Sequence, residues 1–383
     1  NFNSTIYKFD GATTITAAAG DTIDMGAGAA TTFTTAADNI TFATGNIELA
    51  NGSNLTVDTG AAGGNITIGE IGGTSVETVT LDAGTGTTSV GVIGSGTEIG
   101  ALSIGSAENG GITLNGAITT DGVVTLDGPI TLATGAITIT TADDAINLQG
   151  TVDGGQALTL SSGSAAVTAD GAIGSSTALT SLTVNSSGAG TIEITDIGTS
   201  SAAGVSGATA IGNTSTGTLT LDGTVYTTTG SQTYTAATGG GNIDITNTSG
   251  STFTTTNTAV AFNTSGVDLA NNATTTIDTG TGAGDVTFQG AIETNGSDND
   301  ILTVTSGTGT VTFTGAIGAT EELGGLNVNA SSGNGVITFT STIGDSDNAG
   351  VIGTTSIGNA ATSDLNFNST IYKFDGATTI TAA

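Results

Sequence analysis

The sequence predicts an all-β chain wound as a parallel β-helix (β-solenoid), and three observations carry that expectation. Residues 1–18 and 366–383 are the same eighteen letters, NFNSTIYKFDGATTITAA, so the sequence repeats with a period of 366 − 1 = 365. Short strand-and-turn modules recur along the whole length. No segment of useful length shows the i, i+3, i+4, i+7 apolar spacing of a helix.

The modules come first in chain order. They read ITLNGAI (112–118), VTLDGPI (124–130), INLQGTV (146–152), LTLDGTV (219–225), VTFQGAI (286–292) and VTFTGAI (311–317). Apolar residues alternate with Thr or Asn, the period-2 pattern of a strand with one buried face. A Gly three or four residues on bends the chain. Thr suits the outer strand positions because its branched Cβ fits a pleated surface. Where Thr and Asn fall at equivalent positions they serve either as plain polar strand residues or as stacked side-chain ladders. A single Pro, Pro129, removes almost no backbone donor from such ladders.

Repetition also runs inside the period. Residues 1–105 realign on 220–329: Tyr7 falls on Tyr226, Phe33 on Phe253, Asp58 on Asp278 and Leu102 on Leu326, so the offset drifts only from 219 to 224. A row of sandwich domains would need a unit of about 100 residues, longer strands and linkers between copies, and the sequence offers none of these. A solenoid needs only short strands, because each coil buries its inward face against the coils above and below. Coils of roughly 20 residues give about 18 coils per period, an advance of roughly 85–90 Å at about 4.8 Å per coil. Residues 1–365 are thus expected to form one tandem unit of continuous solenoid, and 366–383 the start of the next.

Composition narrows function. The chain of 383 residues carries 33 acidic residues against two lysines, Lys8 and Lys373, for a net charge of −31, with no His, Cys, Trp or Arg. Nothing here displaces phosphate counterions, so no nucleic-acid partner is expected. Zinc, haem, iron–sulfur and Ser–His–Asp chemistry lack their ligands or base. No apolar run spans a bilayer in this segment. The expectation is a protein that is not an enzyme and takes no organic cofactor.

Runs such as GAITITTADDAINLQGTV (135–152) and DGTVYTTTGSQTYTAATGGGNIDIT (222–246) resemble the large repetitive bacterial surface and secreted proteins related to filamentous haemagglutinin. The resemblance covers essentially the whole chain and rests on low-complexity motifs. It implies a right-handed parallel β-helix, export to the cell surface, and service as an adhesin or extracellular fibre. The chain lacks that family's secretion domain and is more acidic and more faithfully repeated, which favours a fibre shaft that partners with itself end to end. The alternative is an adhesin that binds surface glycans through polar insertions at 199–218 and 345–360.

Only one class of bound ion is suggested. Asp298 and Asp300 in NGSDND, and Asp345 and Asp347 in GDSDNAG, gather oxygen ligands in expected loops. Hard cations such as Ca²⁺ take six to eight oxygens. Asp, Asn, Ser and Gly are equally the ordinary residues of solvated turns. The adjacent carboxylates Asp143–Asp144 and Glu321–Glu322 point to opposite faces of a strand and do not converge for acid/base chemistry.

Overall fold

The computed structural model describes residues 1–26, 28–105, 110–264, 266–296, 299–330 and 335–383. Every regular element among them is a strand, and the paired strands run parallel. The result is a parallel β-solenoid of about 15 turns. It divides into two compact units, residues 1–179 and 180–383. No helix of the described residues is long and apolar enough to cross a membrane.

In the first unit three walls repeat along the chain. One begins at Ile6–Lys8 and passes through Thr31–Thr34, Leu55–Asp58 and Thr78–Asp82 to Val167–Ala169. Its inward side chains stack in register as Tyr7, Phe33, Val57, Leu81, Ile104, Leu126, Leu148 and Ala169. The second wall, from Thr13–Thr16, stacks Ile15, Phe42, Ile68, Val90, Leu114 and Leu132. The third, from Thr22–Met25, stacks Ile23, Ile47, Ile71, Ile93, Ile118, Ile139 and Leu160. Within the unit, each interior rung is closed off by the rungs above and below it, which is why three- to five-residue strands suffice.

The second unit is built the same way with different filling. Ile211, Tyr234, Phe262, Phe288, Phe313, Phe339 and Phe367 line one wall. Tyr226, Phe253, Ile277, Val304, Val328, Ile357 and Ile380 line another. On the third, Leu219, Ile243, Val267, Ile292, Ile317, Ile343 and Tyr372 succeed one another.

A turn takes more chain than the roughly 20 residues expected. Register steps on the first wall run from 21 residues (Leu148 to Ala169) to 26 (Tyr7 to Phe33), which is why there are about 15 turns and not 18. The extra residues sit at the corners. One corner recurs as Ile–Gly: Gly94, Gly174, Gly318 and Gly344 all have φ between 60° and 79°. Each donates its N–H to a carbonyl of the preceding coil, for example Gly94 to Ile71 at 2.7 Å and Gly344 to Ile317 at 2.8 Å. The chain then leaves the wall for four to six residues and returns on a buried Ile99, Leu179, Leu323 or Val351. A Cβ at Gly94 would also stand 2.2 Å from the Thr119 carbonyl, so glycine is required there twice over.

Candidate functional site

Outward side chains are the only ones open to chemistry, and register arranges them in columns. On the first wall Thr32, Thr56, Thr80, Ser103, Thr125, Asn147 and Thr168 follow one another. On the second, Thr14, Thr41, Thr67, Ser89, Thr113 and Thr131 do the same. A shallow depression of about 330 Å³ lies on the first of these faces. It is lined by Thr78, Thr80, Ala101, Ser103, Val123 and Thr125 among others, and holds no titratable group.

The acidic residues fall into two populations. The first clips coils together. Asp153 Oδ1 accepts the N–H groups of Ser176 (2.7 Å) and Thr177 (2.9 Å) from the next coil. Asp196 Oδ1 accepts those of Thr224 (2.8 Å) and Val225 (2.9 Å). Asp143 takes Ser164 N–H at 2.8 Å, and Asp285 takes Thr310 N–H at 2.7 Å. Corners leave backbone donors outside the ladders, and a carboxylate reaching from the neighbouring coil satisfies two at once. Hydrogen bonding to the Ser164 backbone and side chain holds the Asp143 carboxyl below its ordinary range.

Two clips are buried and occupy equivalent places in the internal repeat. Glu77 is wholly shielded from solvent. Its carboxylate accepts Thr74 N–H at 2.6 Å and Gly52 N–H at 3.2 Å, together with the Thr74 hydroxyl. Burial alone would push this group up, but the bonds from Thr74 and Gly52 outweigh it and hold the pKa down. Asp300, 223 positions later, is equally buried, and its Oδ1 accepts Asn272 N–H at 2.5 Å.

The second population forms ladders. On the third wall of the first unit Asp24 pairs in register with Glu48, and Glu70 stands on the next strand. In the second unit Asp244, Asp268 and Glu293 pair in register on three successive strands. Asn242 Nδ2 donates to Asp244 Oδ1 and to Asp268 Oδ2, both at 2.6 Å. Glu293 Oε2 accepts the N–H groups of Thr320 (3.1 Å) and Glu321 (3.0 Å). Burial, then Asp24 and Glu70, raises the pKa of Glu48. Burial, then Asp244, raises that of Asp268 against the Asn242 bond. Burial also raises Glu293, with Asp268 adding to it and the Glu321 and Thr320 bonds opposing.

The four residues suggested for Ca²⁺ belong to two loops. Asp298 lies outside the described residues. Asp300 is the buried clip described above. Asp345 Oδ1 accepts Asp347 N–H and Asn348 N–H, both at 2.7 Å, closing its own turn. The Asn348 and Asp347 bonds, with a smaller pull from Lys373, lower the Asp345 pKa, and Asp347 is exposed. Among the described residues no group of three or more Asp or Glu could hold a metal ion.

Glu77, the clips at Asp153, Asp196 and Asp285, and the ladders carry no motif in the sequence. A partial signal existed: at offsets of 220 to 223, Asp24 falls on Asp244, Glu48 on Asp268 and Glu77 on Asp300, while Glu293 falls on Gly72, the register partner of Glu48. Comparison of the chain with protein families, curated proteins and solved structures finds no match.

Proposed function

We propose that this chain is a structural repeat of a secreted or cell-surface filament, a stiff acidic β-solenoid shaft that acts mechanically. One observation carries the reading: the duplicated eighteen residues build the same coil twice, each time against a different neighbour. In residues 1–18, Phe2, Tyr7 and Ile15 face Met25, Phe33 and Phe42 of the coil that follows. In residues 366–383, Phe367, Tyr372 and Ile380 face Phe339, Ile343 and Ile357 of the coil that precedes. The same three side chains therefore accept a rung on either side.

Local geometry agrees between the two. Ser4 N–H donates to Tyr7 Oη at 3.0 Å and Ser369 N–H to Tyr372 Oη at 2.6 Å. Thr13 and Thr378 both bond the carbonyl two residues back at 3.1 Å. With a rung on one side only, the inward Ile380 is 48% exposed. In the related coil 219–236, with rungs on both sides, Tyr226 and Tyr234 are fully buried. Laying one repeat on the next through this coil requires no linker and no change of register. High negative charge would keep shafts from clumping side by side.

A chain carrying two repeats in tandem tests the reading by electron microscopy. The particle should lengthen by about 70 Å per added repeat, from about 15 rungs at about 4.8 Å, with no gap at the junction. Two beads joined by a tether would overturn it. Glycan adhesion is the second reading, supported by the excursions after Gly198 and Gly344. The chain leaves the wall there at 199–204 and 345–350, and within the expected insertions Thr209–Ile211 and Thr355–Ile357 are strands of the wall. Glycan-array binding lost on shortening either excursion would favour it.

A further inference from the structure

The carboxylate ladders are unusual in having no counter-charge. The chain's only cations, Lys8 and Lys373, sit in the two copies of the duplicated coil, away from both ladders in sequence and on other strands. In the first unit Glu48 faces Asp24 on the preceding strand and lies close to Glu70 on the following one. The other groups around these acids are neutral. Thr22 Oγ1 donates to Asp24 Oδ1 at 2.6 Å, and Ser95 Oγ donates to Glu70 Oε2 at 3.1 Å. A Cβ at Gly72 would stand 2.9 Å from Glu48 Oε2, so this carboxylate is folded down over the next coil. In the second unit Asp268 lies between Asp244 and Glu293, and Asn242 bridges the first two rungs as a side-chain donor. Asp24 with Asp244 and Glu48 with Asp268 stand at matching positions of the two internal copies, which makes this pair of rungs a feature of the repeat. The third acid differs, Glu293 standing opposite Asp268 while Glu70 lies two residues before Gly72, the partner of Glu48.

Like charges directly opposite on neighbouring strands repel. Elsewhere in proteins a lysine or arginine relieves such a column; here a proton can relieve it with no change in packing. A protonated middle rung becomes a donor to the carboxylates on either side.

We propose that the two ladders make the solenoid acid-hardening: Glu48 and Asp268 take up protons as the medium turns mildly acidic, and each unit then resists unfolding better than at neutral pH. The sign follows from linkage. Glu48, Asp268 and Glu293 hold their protons more tightly folded than unfolded, because burial and neighbouring carboxylates raise their pKa values. Stability therefore rises as pH falls from neutral through the folded values, and the gain is complete once pH reaches the unfolded values of about 4. The ladders act within the walls of one chain, so the effect is independent of how repeats join.

Urea unfolding of the full chain, followed by circular dichroism at pH 7.5 and pH 5, tests this. The urea midpoint should be higher at pH 5. Glu48→Gln combined with Asp268→Asn should raise the midpoint at pH 7.5 and shrink the difference between the two pH values. A charge-matched control, Asp121→Asn with Asp170→Asn at two exposed sites, separates the ladders from general repulsion in a chain of net charge −31. If the control shrinks the difference as much as the ladder variant, or if the wild-type midpoint falls between pH 7.5 and pH 5, the proposal is wrong. A second measurement compares proton exchange: unfolding the wild-type chain in unbuffered urea at pH 5 should release protons relative to the ladder variant. Relative uptake, or no difference, would count equally against it.

Discussion

The two units solve one packing problem with different side chains. In residues 1–179 the second wall is filled mostly by aliphatic side chains, Ile15, Ile68, Val90, Leu114 and Leu132, with Phe42 the one ring among them. In residues 180–383 the corresponding depth of core is a column of rings. Phe262, Phe288, Phe313 and Phe339 stack with centroids 4.8, 5.4 and 4.9 Å apart and planes within 5–7° of parallel. That spacing is set by the backbone, since parallel strands lie about 4.8 Å apart. A phenylalanine at the same position of successive coils can hardly avoid stacking on its neighbours. Branched aliphatic chains fill the same slot by interlocking methyl groups, and each of them depends less on the identity of the next. The solenoid fixes where an inward side chain goes and leaves open what it is. The ring column trades that tolerance for dependence on both neighbours.

The largest break in this comparison is Phe313→Ala. It leaves a ring-sized void between Phe288 and Phe339, both fully buried, and should cost about 3–5 kcal/mol. Chemical denaturation should show the loss in the second unit, with the transition of the first unchanged. Phe367→Ala should cost distinctly less. That ring is half-exposed and stacks on Phe339 at 5.2 Å, with Tyr372 edge-on at 4.9 Å. Equal losses at the two positions would mean that the column is not cooperative.

The buried clips extend the comparison to polar groups. Glu77 closes its own loop through Thr74 and also reaches back to Gly52, whereas Asp300, one methylene shorter, meets Asn272 in the equivalent turn. Glu77→Gln should destabilise the first unit by about 1–3 kcal/mol, the range for hydrogen bonds to a charged group. Its pH dependence is opposite to that of the ladders. A carboxylate with a lowered folded pKa contributes fully above its unfolded value of about 4.3 and loses that contribution as pH falls through the folded value. Wild-type stability should therefore climb from pH 7.5 to about pH 5 and fall again below about pH 4. The Gln variant should keep the climb and lose part of the fall.

How much of this was legible follows the physics of each signal. Alternation in ITLNGAI and VTFTGAI marked the strands because burial of one face leaves a period of two. The duplicated eighteen residues marked tandem repetition, and the walls then followed from short strands that cannot bury themselves alone. The number of turns was misjudged because corner length depends on Ile–Gly excursions such as Gly94–Ile99, whose four-residue loops carry no periodicity. The acidic residues were harder. Asp300 reads as a loop ligand in NGSDND, yet its side chain turns inward to a backbone N–H in the preceding coil, 28 residues away. No local pattern encodes that partner. Only the alignment of Glu77 on Asp300 and of Asp24 and Glu48 on Asp244 and Asp268 pointed to it, and alignment shows equivalence without showing contact.

The smallest expected effect concerns the tyrosine that recurs in the first coil of each unit's related sequence. Tyr226 Oη accepts Gly223 N–H at 2.7 Å and donates to the Ile194 carbonyl at 3.1 Å, wholly out of solvent. Burial holds its phenol protonated far above the ordinary range, so the donated bond persists at any pH at which the chain folds. Tyr226→Phe strands the buried Gly223 N–H, while the Ile194 carbonyl keeps the Asp222 N–H at 3.2 Å, and should cost about 1–2 kcal/mol. Tyr7 makes the matching bond with Ser4 N–H, but its coil is covered on one side only and water can replace the hydroxyl. Tyr7→Phe should cost no more than about 0.5 kcal/mol, the range of changes at solvated positions. In a tandem chain, where the second copy of that coil gains its missing neighbour, the same substitution at the junction should rise toward the Tyr226 value. If it stayed near the value at Tyr7, water would still reach the hydroxyl there, and the repeats would not be stacked rung on rung.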